Sequence, residues 1–428
     1  MEKIVQSFQH STGIATDNAW SALTHWKHQV DDHNPLIGSL RELQTTKDWE
    51  TLFESAASLP NPPVVKLKTF KSDKWIDFTF MDLFAGIGGF HLALASQGGN
   101  LVFASEWDNA ARLTYLANHG VYPFGDIRQF TRDEHGNPLP LEAIASQIPH
   151  ADIIAAGFPC QPFSTAGVSS RNHHGHSHGL LCEAQGTLFE DILLIAKATK
   201  PDALILENVG NLRFHDAGNT IRVILQEIEA SGYKVHPEWD DSSNWAVLNS
   251  SLVSAQRRRR VYLTCIRQDL ADSLYDHKGN FKISPPKQVT KCATLGQIIE
   301  RDQSLSESEK QKRFGISERL WKSHLRRQDE HQKRGNGFRI GLMTDLETVA
   351  PTLVARYYKD GKDCLIPAAG GKLPPRMLSP QECSLLQTYP TSFRIPNSKT
   401  AAYKQFGNSV TVEMVRHVSR ELVDYLYT

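Results

Sequence analysis

The sequence lacks several features that would assign it to a class at once. Its 428 residues include six cysteines but no Cys-x-x-Cys pair, which argues against a disulfide framework and an ordinary zinc site. No apolar run approaches the ~18 residues that a membrane span needs. The N-terminal residues also lack the apolar core of a secretory signal. We therefore expect a protein of a reducing compartment with no membrane association.

Net charge is absent as well. The 47 basic residues balance 47 acidic residues, so nucleic-acid binding would have to come from a local patch. One strongly basic stretch runs from Lys310 to Arg339, with ten basic residues against three acidic ones. Taken alone, such a run is typical of a solvated face.

Hydrophobic patterning divides the chain into three parts. Residues 1–70 show helical spacing and then a Pro-rich linker, which predicts a helical extension of unknown function. In residues 76–265, five β-rich runs alternate with helical stretches: IDFTFMDLF, LVFASE, ADIIAAG, ALILENV and RVYLTCI. This predicts an α/β domain with a doubly wound, mostly parallel sheet, completed by a C-terminal helical stretch, 404–428. Residues 266–400 lack the alternation and predict a second, smaller domain.

The first predicted strand ends in a turn that contains three glycines, between Asp82 and Phe90. Gly86 and Gly88 would let the backbone approach a ligand at a helix N-terminus, although such turns also serve tight packing. The GxGxxG spacing of a dinucleotide site is missing.

Acidic residues follow at the next strand ends, where ligands bind in parallel sheets. Glu106 could accept hydrogen bonds from ribose hydroxyls, and Trp107 could stack on an adenine. Asp126, in the run Gly125-Asp126-Ile127, could accept from an exocyclic amine. Three such features in chain order favour an adenosine-type cofactor.

Catalytic side chains are predicted at the remaining strand ends. Cys160 stands between two prolines on a stiffened loop, which favours a nucleophile over the usual buried cysteine. Glu207 follows the next strand, where partial shielding from water would raise its pKa and let it donate a proton. Arg258 and Arg260 lead into the last strand, and alternation along that strand predicts that they point the same way.

Together these motifs resemble the DNA cytosine-5 methyltransferase family, and most closely its bacterial Dcm type. The likeness covers nearly everything from Ile76 onward, and the motifs keep the family's order: DLFAGIGGF, SEWD, GDI, GFPCQPFS, GTLFEDI, ENV, QRRRRVY, RMLSPQECSLLQTYP and YKQFGNSV. The Dcm type is also similar in its N-terminal helical extension and in HQKRGNGF and TLVARYYKDG. The resemblance implies the S-adenosylmethionine-dependent methyltransferase fold, with residues 266–400 as a target-recognition domain.

The resemblance also implies a cofactor site. Its residues would be Phe84, Gly86, Gly88, Glu106, Trp107, Asp126, Ile127, Asn408 and Val410. Phe84 and Trp107 would flank the adenine of S-adenosylmethionine. Glu106 would hold the ribose, and Asp126 would lie near the adenine amine. Gly86 and Gly88 would let the loop pass close to the methionine portion.

For the chemistry, the family implies methyl transfer to carbon 5 of cytosine in double-stranded DNA. Cys160 would attack ring carbon 6 of a flipped base, and Glu207 would hydrogen-bond or protonate ring nitrogen 3. Arg260, with Arg258, would hold the base and the developing negative charge. The basic stretch from Lys310 would supply phosphate contacts.

Further expectations follow from the same resemblance. We expect a monomer in the bacterial cytoplasm, associated with the nucleoid and possessing a cognate restriction endonuclease if it belongs to a restriction–modification system. The recognition site would be a short palindrome. The His-rich run 173–178 fits no standard tetrahedral pattern, so no metal is expected. Two alternatives stay open: a transfer-RNA cytosine methyltransferase on the same scaffold, and a catalytically silent DNA-binding module.

Overall fold

The structure is a computed structural model of the chain. It describes residues 2–12, 14–31, 54–55, 76–158, 188–236, 247–271, 293–335, 340–360 and 362–428. Cys160, the His-rich run 173–178 and the predicted Pro-rich linker lie outside the described residues.

A seven-stranded sheet organises the chain. Its strands are β1 (Phe78–Leu83), β2 (Gly99–Ser105), β3 (Ile153–Gly157), β4 (Ala203–Val209), β5 (Tyr233–His236), β6 (Val247–Asn249) and β7 (Arg259–Arg267). The strand order is β2-β1-β3-β4-β7-β5, and β6 pairs with β7. β1 pairs in parallel with β2 and β3, and β3 pairs in parallel with β4, whereas β7 runs antiparallel to β4 and β5. The predicted α/β fold with a mostly parallel sheet is confirmed.

Helices lie between successive strands from β1 to β5, before β1 and after β7. They are α1 (Glu2–Thr12), α2 (Thr16–Asp31), α3 (Gly89–Ala95), α4 (Asn109–His119), α5 (Arg128–Thr131), α6 (Leu141–Ala145), α7 (Leu188–Thr199), α8 (Asn219–Ala230), α9 (Gln268–Ala271), α10 (Leu295–Arg301), α11 (Glu307–Phe314), α12 (Glu318–Lys333), α13 (Tyr357–Asp360), α14 (Pro380–Leu386), α15 (Lys399–Asn408) and α16 (Val412–Tyr427). The predicted C-terminal helical stretch is thus two helices, α15 and α16.

The central strands form where the sequence is apolar on both faces. In β3 and β4, the apolar residues except Val209 are almost completely buried, as expected for parallel strands that helices cover on both sides. Met81, Ile154 and Leu204 share one hydrophobic cluster with residues of α7 and α8. This packing fixes the carboxyl ends of the strands, where the predicted site residues lie.

The chain forms two compact units. The first contains residues 1–248, 260–286 and 415–428, and the second contains residues 249–259 and 287–414. Residues 249–259 therefore belong to the second unit, although the sequence analysis places them in the catalytic domain. The described helices of the predicted extension, α1 and α2, belong to the first unit.

Candidate active site

An ion pair lies at the carboxyl end of β4. Arg260 Nε is 2.9 Å from Glu207 Oε1, and the two side chains are 15% and 11% exposed. The antiparallel register of β4 and β7 brings them together, because Arg260 stands opposite Val209, two residues beyond Glu207. Since water is largely excluded, the guanidinium restricts the orientation of the carboxylate.

The neighbouring strand leads directly toward Cys160. Gly157, the last residue of β3, is in register with Glu207 of β4. A Cβ atom on Gly157 would lie 3.7 Å from Glu207 Oε2, which is ordinary contact distance. Asn208 Nδ2 donates a hydrogen bond of 3.0 Å to the Phe158 carbonyl. The sheet therefore holds Phe158, two residues before Cys160, beside the Glu207–Arg260 pair.

Glu106 connects the end of β2 to the glycine-rich turn after β1. Its Oε2 accepts from the Gly86 N–H at 2.9 Å, and its Oε1 accepts from the Asp108 N–H at 2.8 Å. Burial raises the pKa of Glu106, although both N–H groups oppose the rise. Each carboxylate oxygen can accept a second hydrogen bond. Glu106 can therefore position the turn and still receive ligand hydroxyls.

The two predicted glycines serve different purposes. Gly86 has φ +55°, and a Cβ there would meet nothing within 4 Å, so its surroundings are open. Gly88 has φ +86°, and a Cβ there would lie 2.1 Å from His119 Nε2. Open space at Gly86 is suitable for a ligand, whereas Gly88 is required for packing of the turn against His119 of α4.

Buried polar side chains pack around the glycine-rich turn after β1. His91 Nδ1 and the Tyr115 hydroxyl are 2.7 Å apart, and that hydroxyl donates to Asp82 at 3.4 Å. The rings of His91 and His119 stack at 4.2 Å. Burial raises the pKa of Asp82 and lowers the pKa of both histidines, to about 3 for His119. The two histidine rings are therefore neutral beside the turn.

The remaining predicted cofactor residues of the first unit differ in exposure. Trp107 is 80% exposed, which leaves its indole available for stacking, and Phe84 is half-buried against the core. Asp126 pairs with Arg128 at 2.5 Å. Burial alone would raise the pKa of Asp126, but hydrogen bonds from Arg128 lower it. Ile127 packs in the hydrophobic core, so its side chain does not face an open site.

Arg258 lies in the second unit and has backbone carbonyl partners there. Its guanidinium is buried and donates to the carbonyls of Leu353 (2.8 Å), Gly407 (3.2 Å) and Ser409 (2.6 Å). β7 begins at Arg259, so Arg258 lies just before this strand. That Arg258 and Arg260 point the same way stays a prediction, and the Arg258 guanidinium stabilises the segment 407–409 within the second unit.

Two further predicted cofactor residues, Asn408 and Val410, also lie in the second unit. Asn408 is exposed at the C-terminal end of α15, and Val410 is buried just after it. Their part in cofactor binding stays a prediction.

The basic stretch is also divided between two roles. Lys310 is 1% exposed, and its Nζ lies 3.4 Å from Asp302, 3.1 Å from Glu307 and 3.3 Å from Glu382. Arg376 completes this buried cluster with an ion pair of 2.8 Å to Glu382. Lys310 is therefore a structural cation and not a phosphate contact.

By contrast, α12 presents exposed cations. Lys322, Arg326 and Lys333 lie in ion pairs on the helix surface. Arg319 and Arg327 are exposed, and no ion pair joins either to another described residue. Such a helix face can contact phosphates.

The described residues contain neither a metal site nor a membrane span. Among them, no group of three or more His, Cys, Asp or Glu side chains could hold a metal ion. No helix in the same ranges is both long and apolar enough to cross a membrane. The His-rich run lies outside them.

The sequence analysis assigned no role to Asn208, although it lies next to Glu207. Its bond to the Phe158 carbonyl crosses between two strands, so only the strand register could reveal it. The pairing of Glu207 with Arg260 depends in turn on the register of β4 with β7.

Comparison with known proteins identifies the class. The model of the C-5 cytosine-specific DNA methylase family matches residues 78–424. The chain belongs to this family, and it is a DNA cytosine methyltransferase.

Particular relatives agree with this assignment. The chain is 35% identical to the DNA-cytosine methyltransferase of Escherichia coli over 460 residues, covering 99% of this chain and 91% of that protein. It is 36% identical to the type II methyltransferase M.NlaX of Neisseria lactamica, covering 81% of this chain and 96% of the relative.

Solved structures support the fold. The chain matches a mutant of Spodoptera frugiperda DNMT2 with a TM-score of 0.56 at 19% identity, covering 80% of this chain and 99% of the other. It also matches the Entamoeba histolytica methyltransferase EhMeth with a TM-score of 0.54 at 15% identity, covering 83% and 100%.

Proposed function

We propose that the protein methylates carbon 5 of cytosine within a specific sequence of double-stranded DNA, using S-adenosylmethionine and a covalent bond to Cys160. The observation that carries the proposal is the Glu207–Arg260 ion pair beside the strand that leads to Cys160. A site for binding alone would need no carboxylate held by a guanidinium at the end of the strand beside the one that leads to Cys160. This favours an active enzyme over the silent module.

The described residues of the first unit suit an adenosine-containing sulfonium cofactor. Gly86 borders open space, Glu106 has acceptor capacity to spare, and the Trp107 indole is exposed. Glu106 would accept from the ribose hydroxyls, and Trp107 would stack on the adenine. When bound, S-adenosylmethionine supplies the methyl group.

The chain's own residues would activate the base. The Cys160 thiolate forms a bond to ring carbon 6, and the π electrons of the 5,6 double bond move to carbon 5, which becomes nucleophilic. Glu207 shares a proton with ring nitrogen 3 and stabilises the charge that develops there. Arg260 orients Glu207 and lies close to that charge. After carbon 5 has gained the methyl group, loss of its proton restores the double bond and releases Cys160.

DNA is the substrate that the relatives support. Carbon 6 is not reachable inside a stacked duplex, so the base has to flip out, at a cost of a few kcal/mol. We propose that the exposed cations of α12 contact the phosphates and offset part of this cost. Several relatives are named type II methyltransferases. A cognate endonuclease that cleaves the same sequence is therefore the partner to look for.

The test is transfer of a labelled methyl group to duplex DNA in competition with transfer RNA. We expect label in DNA with wild type and no label with Cys160→Ser, which should still bind DNA. Label in transfer RNA alone would support the alternative substrate on the same scaffold. Full turnover by Cys160→Ser would contradict the covalent mechanism.

A further inference from the structure

Helix α2 lies outside the matched family region, which begins at residue 78, yet it covers the edge of the catalytic sheet. β2 is the last strand on that side. Gln29 Nε2 donates to the Val102 carbonyl at 3.2 Å, and His25 Nε2 accepts from the Ala104 N–H at 3.0 Å. Side chains of α2 thus take the place of a neighbouring strand, which would otherwise satisfy these edge groups.

The protonation state of His25 agrees with this role. Its Nδ1 lies 2.8 Å from the Ser21 carbonyl, which can only accept, so Nδ1 carries the proton and Nε2 is the acceptor. Burial lowers the pKa of His25 to about 3. The ring is therefore neutral, as acceptance of the Ala104 N–H requires.

The same helix holds the loop that follows α4. Thr24 Oγ1 accepts from the Tyr122 N–H at 2.9 Å, and Ser21 Oγ donates to the Pro123 carbonyl at 3.0 Å. The Trp20 and Tyr122 rings stack with their centroids 4.4 Å apart. Two backbone groups and one ring of the loop are therefore fixed by a single helix.

Arg112 of α4 strengthens the contact. Its side chain is 2% exposed and pairs with Asp17 of α2 at 2.6 Å. Its Nε donates to the Pro123 carbonyl at 2.9 Å, and its guanidinium lies 4.0 Å from the centre of the Tyr122 ring. The carbonyl that Ser21 contacts is thus held from two sides.

The loop passes directly into the proposed cofactor site. The Phe124 N–H donates to the Ala104 carbonyl at 2.8 Å, and the Glu106 N–H donates to the Phe124 carbonyl at 2.8 Å. Asp126 follows two residues later. A shift of residues 122–124 would therefore move the backbone of Glu106 and the start of the Asp126 segment together.

We propose that Ser21 and Thr24 are positioning residues for S-adenosylmethionine, acting through residues 122–124 on Glu106 and Asp126. This inference depends on the proposed function, which assigns the cofactor to that site. If the loop is already ordered before the cofactor binds, the binding free energy does not include the entropic cost of ordering the loop. Loosening the loop should therefore weaken cofactor affinity more than the chemical step.

The experiment compares Thr24→Val with Thr199→Val in the full chain. Both threonines are buried and both donate to a carbonyl four residues earlier in their helix. Only Thr24 contacts the loop, because Thr199 ends α7 near the opposite end of β4 from Glu207. Ser21→Ala is the second variant and gives the answer if Thr24→Val does not fold.

The measurements are the Kd for S-adenosylmethionine by calorimetry, Tm, and kcat at saturating cofactor. One lost hydrogen bond is expected to raise Kd about three- to tenfold in Thr24→Val and Ser21→Ala. The kcat should stay within about twofold, and Thr199→Val should keep the wild-type Kd. Wild-type Kd in both α2 variants would overturn the inference, even with a lower Tm. A wild type that binds no S-adenosylmethionine would overturn the proposed function itself.

Discussion

Glu207→Gln separates the chemical and structural contributions of the ion pair with Arg260. The substitution keeps the shape of the side chain but removes its charge, and the two groups lie 2.9 Å apart with little exposure. Breaking a fully buried pair costs about 3–5 kcal/mol, and the residual exposure here reduces the expected loss of unfolding free energy to about 1–3 kcal/mol. Removal of an acid–base group slows chemistry about 10²- to 10⁴-fold.

The assay is a single-turnover measurement of methyl transfer with duplex DNA and saturating cofactor. The expected 10²- to 10⁴-fold loss of rate corresponds to an increase in the activation free energy of about 2.7–5.5 kcal/mol, at 1.36 kcal/mol for each tenfold change. We expect the rate to fall by this amount while the Kd for S-adenosylmethionine changes little, because Glu106 and Gly86 do not depend on Glu207.

Glu190→Gln is the matched control. Glu190 pairs with Arg132 at 2.8 Å in the same unit, and its side chain is 24% exposed. Because Arg132 also pairs with Asp191 at 2.8 Å, the control should lower the unfolding free energy somewhat less, and it should leave the rate near wild type. Equal losses of rate and cofactor affinity in Glu207→Gln would place Glu207 in the cofactor pocket and refute the assignment. An unchanged rate would refute it as well.

Two predictions concern stability. Burial holds the folded-state pKa of His25 and His119 at about 3, against 6.5 when unfolded. The unfolded chain therefore takes up protons first, and the unfolding free energy should fall by as much as about 1.4 kcal/mol per pH unit for each histidine below pH 6.5. Denaturant titrations from pH 8 to 5 measure this, and a constant value would contradict it. Lys310→Met should lower the unfolding free energy by about 3–5 kcal/mol because it leaves the buried Asp302 carboxylate without its cation. Arg326→Ala should keep the wild-type Tm but weaken DNA binding and reduce its salt dependence, because the exposed cations of α12 are proposed to contact phosphates. A lower Tm with unchanged DNA binding in Arg326→Ala would contradict this role.

The sequence predicted the five longer strands because each is a short β-rich run that is separated from the next by a helical or irregular stretch. It missed β5 and β6, which have four and three residues and too little pattern to detect. The same β-rich runs placed Glu106 and Glu207 at the ends of β2 and β4, as the structure does. These are the positions where ligands bind in parallel sheets.

Contacts between distant segments could not be predicted in the same way. The carbonyl partners of Arg258 could not be predicted, because they come from distant parts of the chain. Lys310 lies in a run of basic residues, so its structural role could not be predicted from the sequence. Its carboxylate partners, Asp302 and Glu382, become its neighbours only on folding. The helical pattern of α2 gave no sign that it would satisfy the edge of β2.

The most direct test of the central claim is bisulfite sequencing of genomic DNA from a host that lacks cytosine methylation and expresses this protein. The account predicts one short motif methylated at a single cytosine throughout the genome with wild type, and none with Cys160→Ser at equal soluble expression. An unmodified genome with well-expressed, soluble wild-type protein would contradict the claim that duplex DNA is the substrate.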